Sequence, residues 1–141
     1  MKSIYIAGPL FTEGEKYFLE KVERVCANMG FKTYLPHRDV NQKLDSKIVF
    51  EHDLSLLKDI DLVIAVLDGA DVDSGTAFEI GYCLANNKPI IGIRTDYRAM
   101  AFLNRKNPLS AEMNLMVRYA LKGYCKNFND LNKILKKYIV H

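Results

Sequence analysis

Short apolar runs alternate along the chain with longer stretches in which apolar residues recur every three or four positions. The short runs are bounded by glycine, proline or polar residues, and they predict β-strands at 3–7, 31–35, 62–67, 89–93 and 123–125. The periodic stretches predict helices at 13–29, 46–60, 74–86, 111–120 and 129–138. Segment 95–110 is polar and fits neither pattern, so we expect an irregular excursion or lid there.

The alternation of strands and helices predicts an α/β protein with a parallel sheet. Segment 62–67 is almost continuously apolar, as expected for a central strand covered on both faces. We therefore expect one domain over residues 1–141, a flavodoxin-like three-layer sandwich with five parallel strands in the order 2-1-3-4-5. Ligands bind such sheets beyond the carboxyl ends of the strands, here between strands one and three. The segments that reach this place are 8–12 and 68–79, followed by 36–39.

The composition changes this picture little. Hydrophobic residues make up 49% and charged residues 26% of the 141 residues, and the net charge is +3. The charges are dispersed, so we expect no nucleic-acid partner. No apolar run is long enough to span a bilayer, and the first residues lack a signal-peptide pattern, so we expect a cytoplasmic protein that binds no membrane. The widely spaced Cys26, Cys83 and Cys125 predict free thiols rather than disulfides or a metal site.

Segment 68–79 carries an unusual concentration of acidic residues near one strand end and one helix start. They are Asp68, Asp71, Asp73 and Glu79. Asp73 suits the N-cap of the helix, which is a purely structural role. Glu79 falls in the second turn among apolar neighbours, where a carboxylate is costly to bury unless it is paired or used. The pattern is compatible with a functional Glu79 and equally with a solvated one.

Asp53 and Tyr5 carry weaker signals. Asp53 lies in the helix before strand three, where a solvated carboxylate is common, and Tyr5 lies inside strand one, where a core aromatic is common. Gly8 and Gly75 leave room for a ligand near the backbone. These glycines form neither a dinucleotide-binding fingerprint nor a phosphate-binding P-loop pattern.

Taken together, these residues resemble the nucleoside 2-deoxyribosyltransferase family. The matching pieces follow the family's order and are 5–11 (Tyr-Ile-Ala-Gly-Pro-Leu-Phe), Asp53, 73–82 (Asp-Ser-Gly-Thr-Ala-Phe-Glu-Ile-Gly-Tyr) and 114–116 (Asn-Leu-Met). The resemblance extends from residue 1 to about residue 119. Its most specific part is the Asp-x-Gly-x-x-x-Glu-x-Gly block with the downstream Asn-Leu-Met.

The resemblance implies a role for each matching residue. Glu79 corresponds to the nucleophile that attacks C1′ of the deoxyribose, Asp53 to the acid that protonates the leaving base, and Tyr5 to the phenol that orients the nucleophile. Asp73 corresponds to the residue that holds sugar hydroxyls. Asn114 corresponds to an amide that reaches the 5′-hydroxyl from a neighbouring subunit, which implies a homo-oligomer, a dimer or higher.

The resemblance also implies the remaining contacts and partners. Gly8, Phe11, Ser74 and Gly75 are expected to bind the substrate, and Phe11 to stack on its base. The expected partners are small-molecule deoxynucleosides and nucleobases. Cleavage of an N-glycosidic bond needs an acid for the departing base and an anion for the oxocarbenium-like carbon, so no metal and no organic cofactor is expected.

Two activities remain open within this family: transfer of 2-deoxyribose to another base, and hydrolysis of a nucleoside or its 5′-monophosphate through the same Glu79. In the related nucleotide hydrolases, serines stand at the positions of Asp73 and Asn114 and bind phosphate. An aspartate at position 73 would repel a phosphate dianion, which favours a free nucleoside. Arg94, Arg98 or the helix N-terminus after Asp73 could still bind phosphate, so this point stays open.

Two other classes share the predicted fold. One is a catalytically silent nucleotide-binding module, and the full set of Tyr5, Asp53, Asp73 and Glu79 argues against it. The other is a redox flavoprotein, and the lack of a Ser/Thr-rich loop after strand one argues against that.

Overall fold

A computed structural model of the chain describes residues 1–41, 43–96, 98 and 113–139. Within these ranges the chain forms five strands: β1 (Ser3–Ala7), β2 (Lys32–Tyr34), β3 (Leu62–Val66), β4 (Ile90–Ile93) and β5 (Gly123–Cys125). The same ranges contain six helices: α1 (Glu13–Asn28), α2 (Pro36–Asp39), α3 (Ser46–Asp59), α4 (Ser74–Ala85), α5 (Leu115–Ala120) and α6 (Phe128–Leu135). Most of the predicted excursion at 95–110, and the predicted start of a helix at 111, lie outside the described residues.

The five strands form one parallel sheet in the order β2-β1-β3-β4-β5, which confirms the predicted fold. All five residues of the central strand β3 are buried, as its unbroken apolar pattern predicts. One face of the sheet packs against α1 and α6, and the other face packs against α3, α4 and α5. The sheet and the helices on its two faces form a three-layer sandwich, and the carboxyl ends of β1 and β3 lie side by side at one edge of it.

The turn after β1 is held by local contacts. Thr12 caps α1 in a capping box, because its hydroxyl accepts from the amide of Glu15 at 3.1 Å while the Glu15 carboxylate accepts from the amide of Thr12 at 2.7 Å. The backbone at Gly8 passes close to two core side chains, since a Cβ there would lie 2.6 Å from Cδ2 of Leu19 and 2.9 Å from Cβ of Val66. Glycine at this position is therefore required by packing.

The helix predicted at 111–120 is shorter in the structure, where α5 begins at Leu115 after its N-cap Asn114. Two other elements differ from the prediction for a local reason. Pro36 predicts the end of a strand, but it also starts the short helix α2, because proline suits a first helical turn and the Asp39 carboxylate accepts from the amide of Leu35 at 2.7 Å. The last helix begins at Phe128 rather than 129, because Asn127 caps it by accepting from the amide of Asp130 at 2.9 Å. That helix ends at Leu135, three residues before the predicted end.

Three further findings concern thiols, membranes and metals. Cys26, Cys83 and Cys125 are buried and free. None of the helices in the described ranges is long and apolar enough to cross a membrane. The same ranges hold no group of three or more metal-ligating side chains close enough to bind an ion.

Candidate active site

A cavity of about 210 Å³ opens at the carboxyl ends of β1 and β3, on the side of α3 and α4. It is lined by parts of all three segments that the fold prediction selected, and by Asp53 of α3. The lining residues are Ala7, Gly8, Leu10, Phe11, Pro36, Asp53, Asp73, Gly75, Thr76 and Glu79. Tyr5 lies fully buried in β1 and reaches this cavity through a hydrogen bond to Glu79. The fold thus brings most of the predicted site residues together.

Glu79 stands at the centre of this group because of the phase of α4. Thr76, Ile80 and Cys83 are the buried residues of that helix, and Glu79 lies on the same side, three positions after Thr76. The Tyr5 hydroxyl donates to Oε1 of Glu79 at 2.8 Å. The Glu79 carboxylate is therefore partly buried and paired, which argues against the solvated alternative.

Burial raises the pKa of Glu79 to about 7. The hydrogen bond from Tyr5 acts in the opposite direction, whereas the negative charges of Asp53 and Asp73 raise this pKa further. Burial also raises the pKa of Tyr5, as do the charges of Glu79 and Asp53. Tyr5 therefore remains a neutral donor at neutral pH, and its hydroxyl favours the ionised form of Glu79.

Asp53 is the second carboxyl group in the cavity wall. Burial raises its pKa, while the neighbouring His52 lowers it. Among the described residues, Oδ1 of Asp53 has no hydrogen-bond partner, and Nδ1 of His52 lies 3.9 Å away, too far for such a bond. Two carboxyl groups with raised pKa values thus face one cavity, and a division into one acid and one anion is the arrangement that glycosidic cleavage needs.

Asp73 combines a structural contact with a place in the cavity wall. Its Oδ2 accepts from the amide of Thr76 at 2.9 Å and from the Thr76 hydroxyl at 3.1 Å, which caps α4. Gly75 lies close to this carboxylate, since a Cβ there would stand 3.2 Å from Oδ2 of Asp73. Thr76 and Pro36 also line the cavity; the sequence analysis selected their segments, 68–79 and 36–39, but did not include either residue among the predicted site residues. The Asp-x-x-Thr spacing at a helix start was the available signal for Thr76.

Some predicted residues lie apart from the Glu79 cavity. Ser74 is exposed and is not among the lining residues. Phe11 lines the cavity but is 79% exposed, which puts its ring at the mouth. Asn114 caps α5, where its Oδ1 accepts from the amide of Met116 at 2.9 Å, and it lines a separate groove of about 340 Å³ between α4 and α5.

The two arginines considered as phosphate ligands are engaged elsewhere. Arg94 is only 4% exposed and donates to the main-chain oxygens of Leu67 and Gly69. Arg98 pairs with Asp96, with 2.6 Å between Nη2 and Oδ2. Burial argues against a phosphate-binding role for Arg94, whereas Arg98 is an exposed side chain that pairs with Asp96 and does not line the Glu79 cavity.

The raised pKa of Glu79 predicts a stability gain when its charge is removed. A carboxyl whose pKa is higher in the folded state binds protons more tightly there, so wild-type stability falls as pH rises from about 4.5 to about 7. Glu79→Gln should therefore raise the Tm at pH 8, with a gain in unfolding free energy of at most roughly 3 kcal/mol, and leave the Tm nearly unchanged at pH 4. Thermal unfolding at both pH values measures this. Equal shifts at the two pH values would contradict the burial of the charge.

Comparison with known proteins identifies the family of this chain. The model of the nucleoside 2-deoxyribosyltransferase family matches residues 4–132. The chain therefore belongs to the nucleoside 2-deoxyribosyltransferase family, as the sequence resemblance indicated. Family membership supports an enzymatic function in glycosyl transfer or hydrolysis.

Individual relatives cover both chemistries. The solved 2-deoxyribosyltransferase of Bacillus psychrosaccharolyticus is 25% identical, with a TM-score of 0.76 over 92% of this chain and 90% of that one. A conserved protein of Enterococcus faecalis V583 is 27% identical, with a TM-score of 0.80 over 99% of both chains. A curated protein of Thermofilum pendens, provisionally named 2′-deoxynucleoside 5′-phosphate N-hydrolase 1, is 28% identical over 98 residues. That match spans 64% of this chain and 66% of the relative.

Proposed function

We propose that this protein transfers 2-deoxyribose from one nucleobase to another through a covalent intermediate on Glu79. The observation that carries the proposal is the 2.8 Å hydrogen bond from the buried Tyr5 hydroxyl to a cavity-facing Glu79, with Asp53 in the same cavity wall. An oriented anion and a second, proton-retaining carboxyl are the two groups that this reaction requires.

The first half of the reaction forms the intermediate. Asp53 gives its proton to the base, the bond between C1′ and the base nitrogen breaks, and its electron pair leaves with the base. The Glu79 carboxylate attacks C1′ and forms an ester with the sugar. Tyr5 keeps its proton and holds the attacking carboxylate in place, since burial and the nearby charges raise its pKa.

The second half resolves the intermediate. A nitrogen of the incoming base attacks C1′, the ester bond breaks, and Glu79 leaves as a carboxylate. Asp53, now ionised, takes the proton of the incoming base. Two displacements at C1′ give net retention of configuration, and both half-reactions use the same pair of carboxyl groups.

The proposed substrates are free deoxynucleosides rather than their 5′-monophosphates. The Asp73 carboxylate already accepts from the amide of Thr76 at the start of α4, a donor that a phosphate would otherwise use. Its negative charge also opposes a phosphate dianion. Neither Arg94 nor Arg98 lines the Glu79 cavity, so neither brings a compensating positive charge into it.

Hydrolysis is the second candidate, and the provisional name of the Thermofilum pendens relative favours it. Water would then replace the incoming base and release free deoxyribose from the same Glu79 ester. Deoxyinosine incubated with and without adenine separates the two activities. We expect deoxyadenosine only with adenine present. Free sugar formed equally in both mixtures would identify a hydrolase, and turnover of deoxyinosine monophosphate in preference to deoxyinosine would contradict the proposed substrate.

We further propose a homo-oligomer in which Asn114 serves the site of the neighbouring subunit. Asn114 lines the groove between α4 and α5 rather than the Glu79 cavity of its own chain. Exposed apolar side chains surround that groove, including Leu84, Leu115 and Met116, the last being 82% exposed. A second copy would cover them and bring Asn114 to the sugar. The buried free thiols suit a reducing compartment, and we propose cytoplasmic nucleoside salvage as the setting.

Subunit complementation tests the shared site. We expect Asn114→Ala and Glu79→Gln to be inactive or strongly impaired alone. A refolded mixture should recover up to about a quarter of wild-type activity, because half of randomly paired dimers are mixed and each has one intact site. Product formation in the mixture, with sedimentation analysis of each protein, measures this. A fully active monomer, or a mixture without recovery, would contradict the arrangement.

A further inference from the structure

The loop between β3 and α4 is fastened to the residues that follow β4 by a set of hydrogen bonds, here called the loop seam. It joins Leu67, Asp68 and Gly69 on one side to Arg94, Thr95 and Asp96 on the other. The Arg94 guanidinium donates through Nη1 to the carbonyl oxygen of Leu67, and through Nη2 to that of Gly69 at 2.9 Å.

Two carboxylates, one on each side of the loop seam, accept its remaining hydrogen bonds. The Asp68 carboxylate accepts from the amide and hydroxyl of Thr95, the latter at 2.6 Å, and from the amide of Asp96 at 2.9 Å. The Asp96 carboxylate accepts from the amide of Gly69 at 3.1 Å. Both main-chain groups of Gly69 are therefore occupied, and its φ of +129° is one that side-chain-bearing residues rarely adopt.

Ion pairing does not account for the burial of Arg94. The residue is 4% exposed, and within the described ranges it forms no ion pair with a carboxylate. Burying a guanidinium is costly unless its donors are satisfied. Arg94 meets this condition in part, because Nη1 and Nη2 donate to two carbonyl oxygens of the loop, whereas its buried Nε has no hydrogen-bond partner among the described residues.

The loop seam ends next to the candidate active site. Four residues after Gly69, the chain reaches Asp73, which caps α4 and lines the cavity, and α4 carries Glu79. Neither Arg94 nor Thr95 lines that cavity. A shift of the loop would move the Asp73 carboxylate relative to the sugar while leaving Tyr5 and the sheet in place.

We propose that Arg94 is a positioning residue, which fixes the β3–α4 loop through the loop seam so that Asp73 meets the sugar of the substrate. This inference rests on the proposed function, because that function gives Asp73 its contact with the sugar. Asp73 would hold the sugar equally in the ground state and the transition state, so its displacement should act on KM more than on kcat.

The test compares Arg94→Met, which removes the donors but keeps much of the side-chain length, with Arg94→Lys, which keeps the charge. Thr95→Val removes one hydroxyl contact of the loop seam and remains informative if Arg94→Met fails to fold. Arg24→Met is the matched control, because Arg24 is exposed on α1 and lies over the ring of Tyr17. Each protein is assayed for KM and kcat with a deoxynucleoside and for amide hydrogen exchange across 67–73.

We expect Arg94→Met to raise KM by about tenfold, to change kcat by less than about threefold and to speed exchange across 67–73. Arg94→Lys should recover part of this effect, Thr95→Val should show a smaller shift in the same direction, and Arg24→Met should match the wild type. Lower Tm with unchanged KM and unchanged loop exchange would overturn the proposal. A wild-type protein without turnover would refute the proposed function instead, and the exchange comparison would still decide whether Arg94 fixes the loop.

Discussion

Glu79→Gln is expected to lower turnover of deoxynucleosides by at least about a thousandfold while the fold is retained. The glutamine oxygen can still accept the hydrogen bond that the Tyr5 hydroxyl donates to Glu79 at 2.8 Å, so the geometry of the cavity is preserved. The amide carries no negative charge and cannot form the sugar ester. Steady-state product formation from deoxyinosine and adenine measures the loss, and circular dichroism verifies the fold.

The control and a direct chemical readout make this prediction specific. Glu51→Gln changes the same residue type on the exposed side of α3, where Oε1 of Glu51 lies 3.8 Å from Nζ of Lys47. This variant should retain full activity. A slow 2-fluoro sugar analogue should leave an adduct on the wild-type peptide that contains Glu79, and none on the Glu79→Gln peptide. Unimpaired Glu79→Gln, or an unmodified peptide during turnover, would rule out Glu79 as nucleophile.

The same substitution is expected to stabilise the protein at pH 8, because it removes a charge that burial disfavours. Loss of activity together with a higher Tm separates a chemical role from a folding role. The cost of burying this charge also explains why the role of Glu79 was ambiguous in the sequence. A stabilising core would place an apolar side chain here, whereas the reaction requires a carboxylate that is partly desolvated and held by one donor.

The sheet was predictable because local pattern and tertiary environment agree in its strands. The run at β3 is apolar at every position, and all five of its residues are buried. The alternation of strands and helices and the right-handedness of the crossover connections then restrict the topology. The short helix α2 was not predictable in the same way, because four residues give no periodicity, and its start depends on the contact between Asp39 and the amide of Leu35.

The site was predictable in its composition but not in its contacts. Single positions such as Tyr5 and Asp53 fit a core aromatic and a solvated carboxylate, and the ordered set of motifs gave them meaning only through the family resemblance. Arg94 shows the limit of the pattern. A charged residue after a strand indicates a surface position, but this one is buried by contacts with Leu67 and Gly69, more than twenty positions away in the chain. Such burial depends on the path of the loop, which no local pattern encodes.

Asp53→Asn is expected to slow the release of ordinary bases by about a hundredfold or more, and to spare a base that departs without protonation. A 7-methylguanine deoxynucleoside provides that case, because its base already carries a positive charge. Asparagine has nearly the shape of aspartate but cannot deliver the proton. The ratio of kcat/KM for deoxyinosine to kcat/KM for the methylated substrate measures the effect and should fall sharply in Asp53→Asn.

The pH dependence gives an independent check on this assignment. As the proposed acid, Asp53 must carry its proton, so the wild-type kcat/KM for deoxyinosine should fall as Asp53 ionises with rising pH, and Asp53→Asn should abolish that fall. Burial raises the pKa of Asp53 and so shifts this ionisation upward. The acidic decline should persist, since it follows protonation of Glu79, whose pKa burial raises to about 7. Asp59→Asn, an exposed change on the same helix, should keep both limbs. Equal losses for the two substrates in Asp53→Asn would mean that the proton comes from another group, because an acid that assists departure matters only when the base needs it.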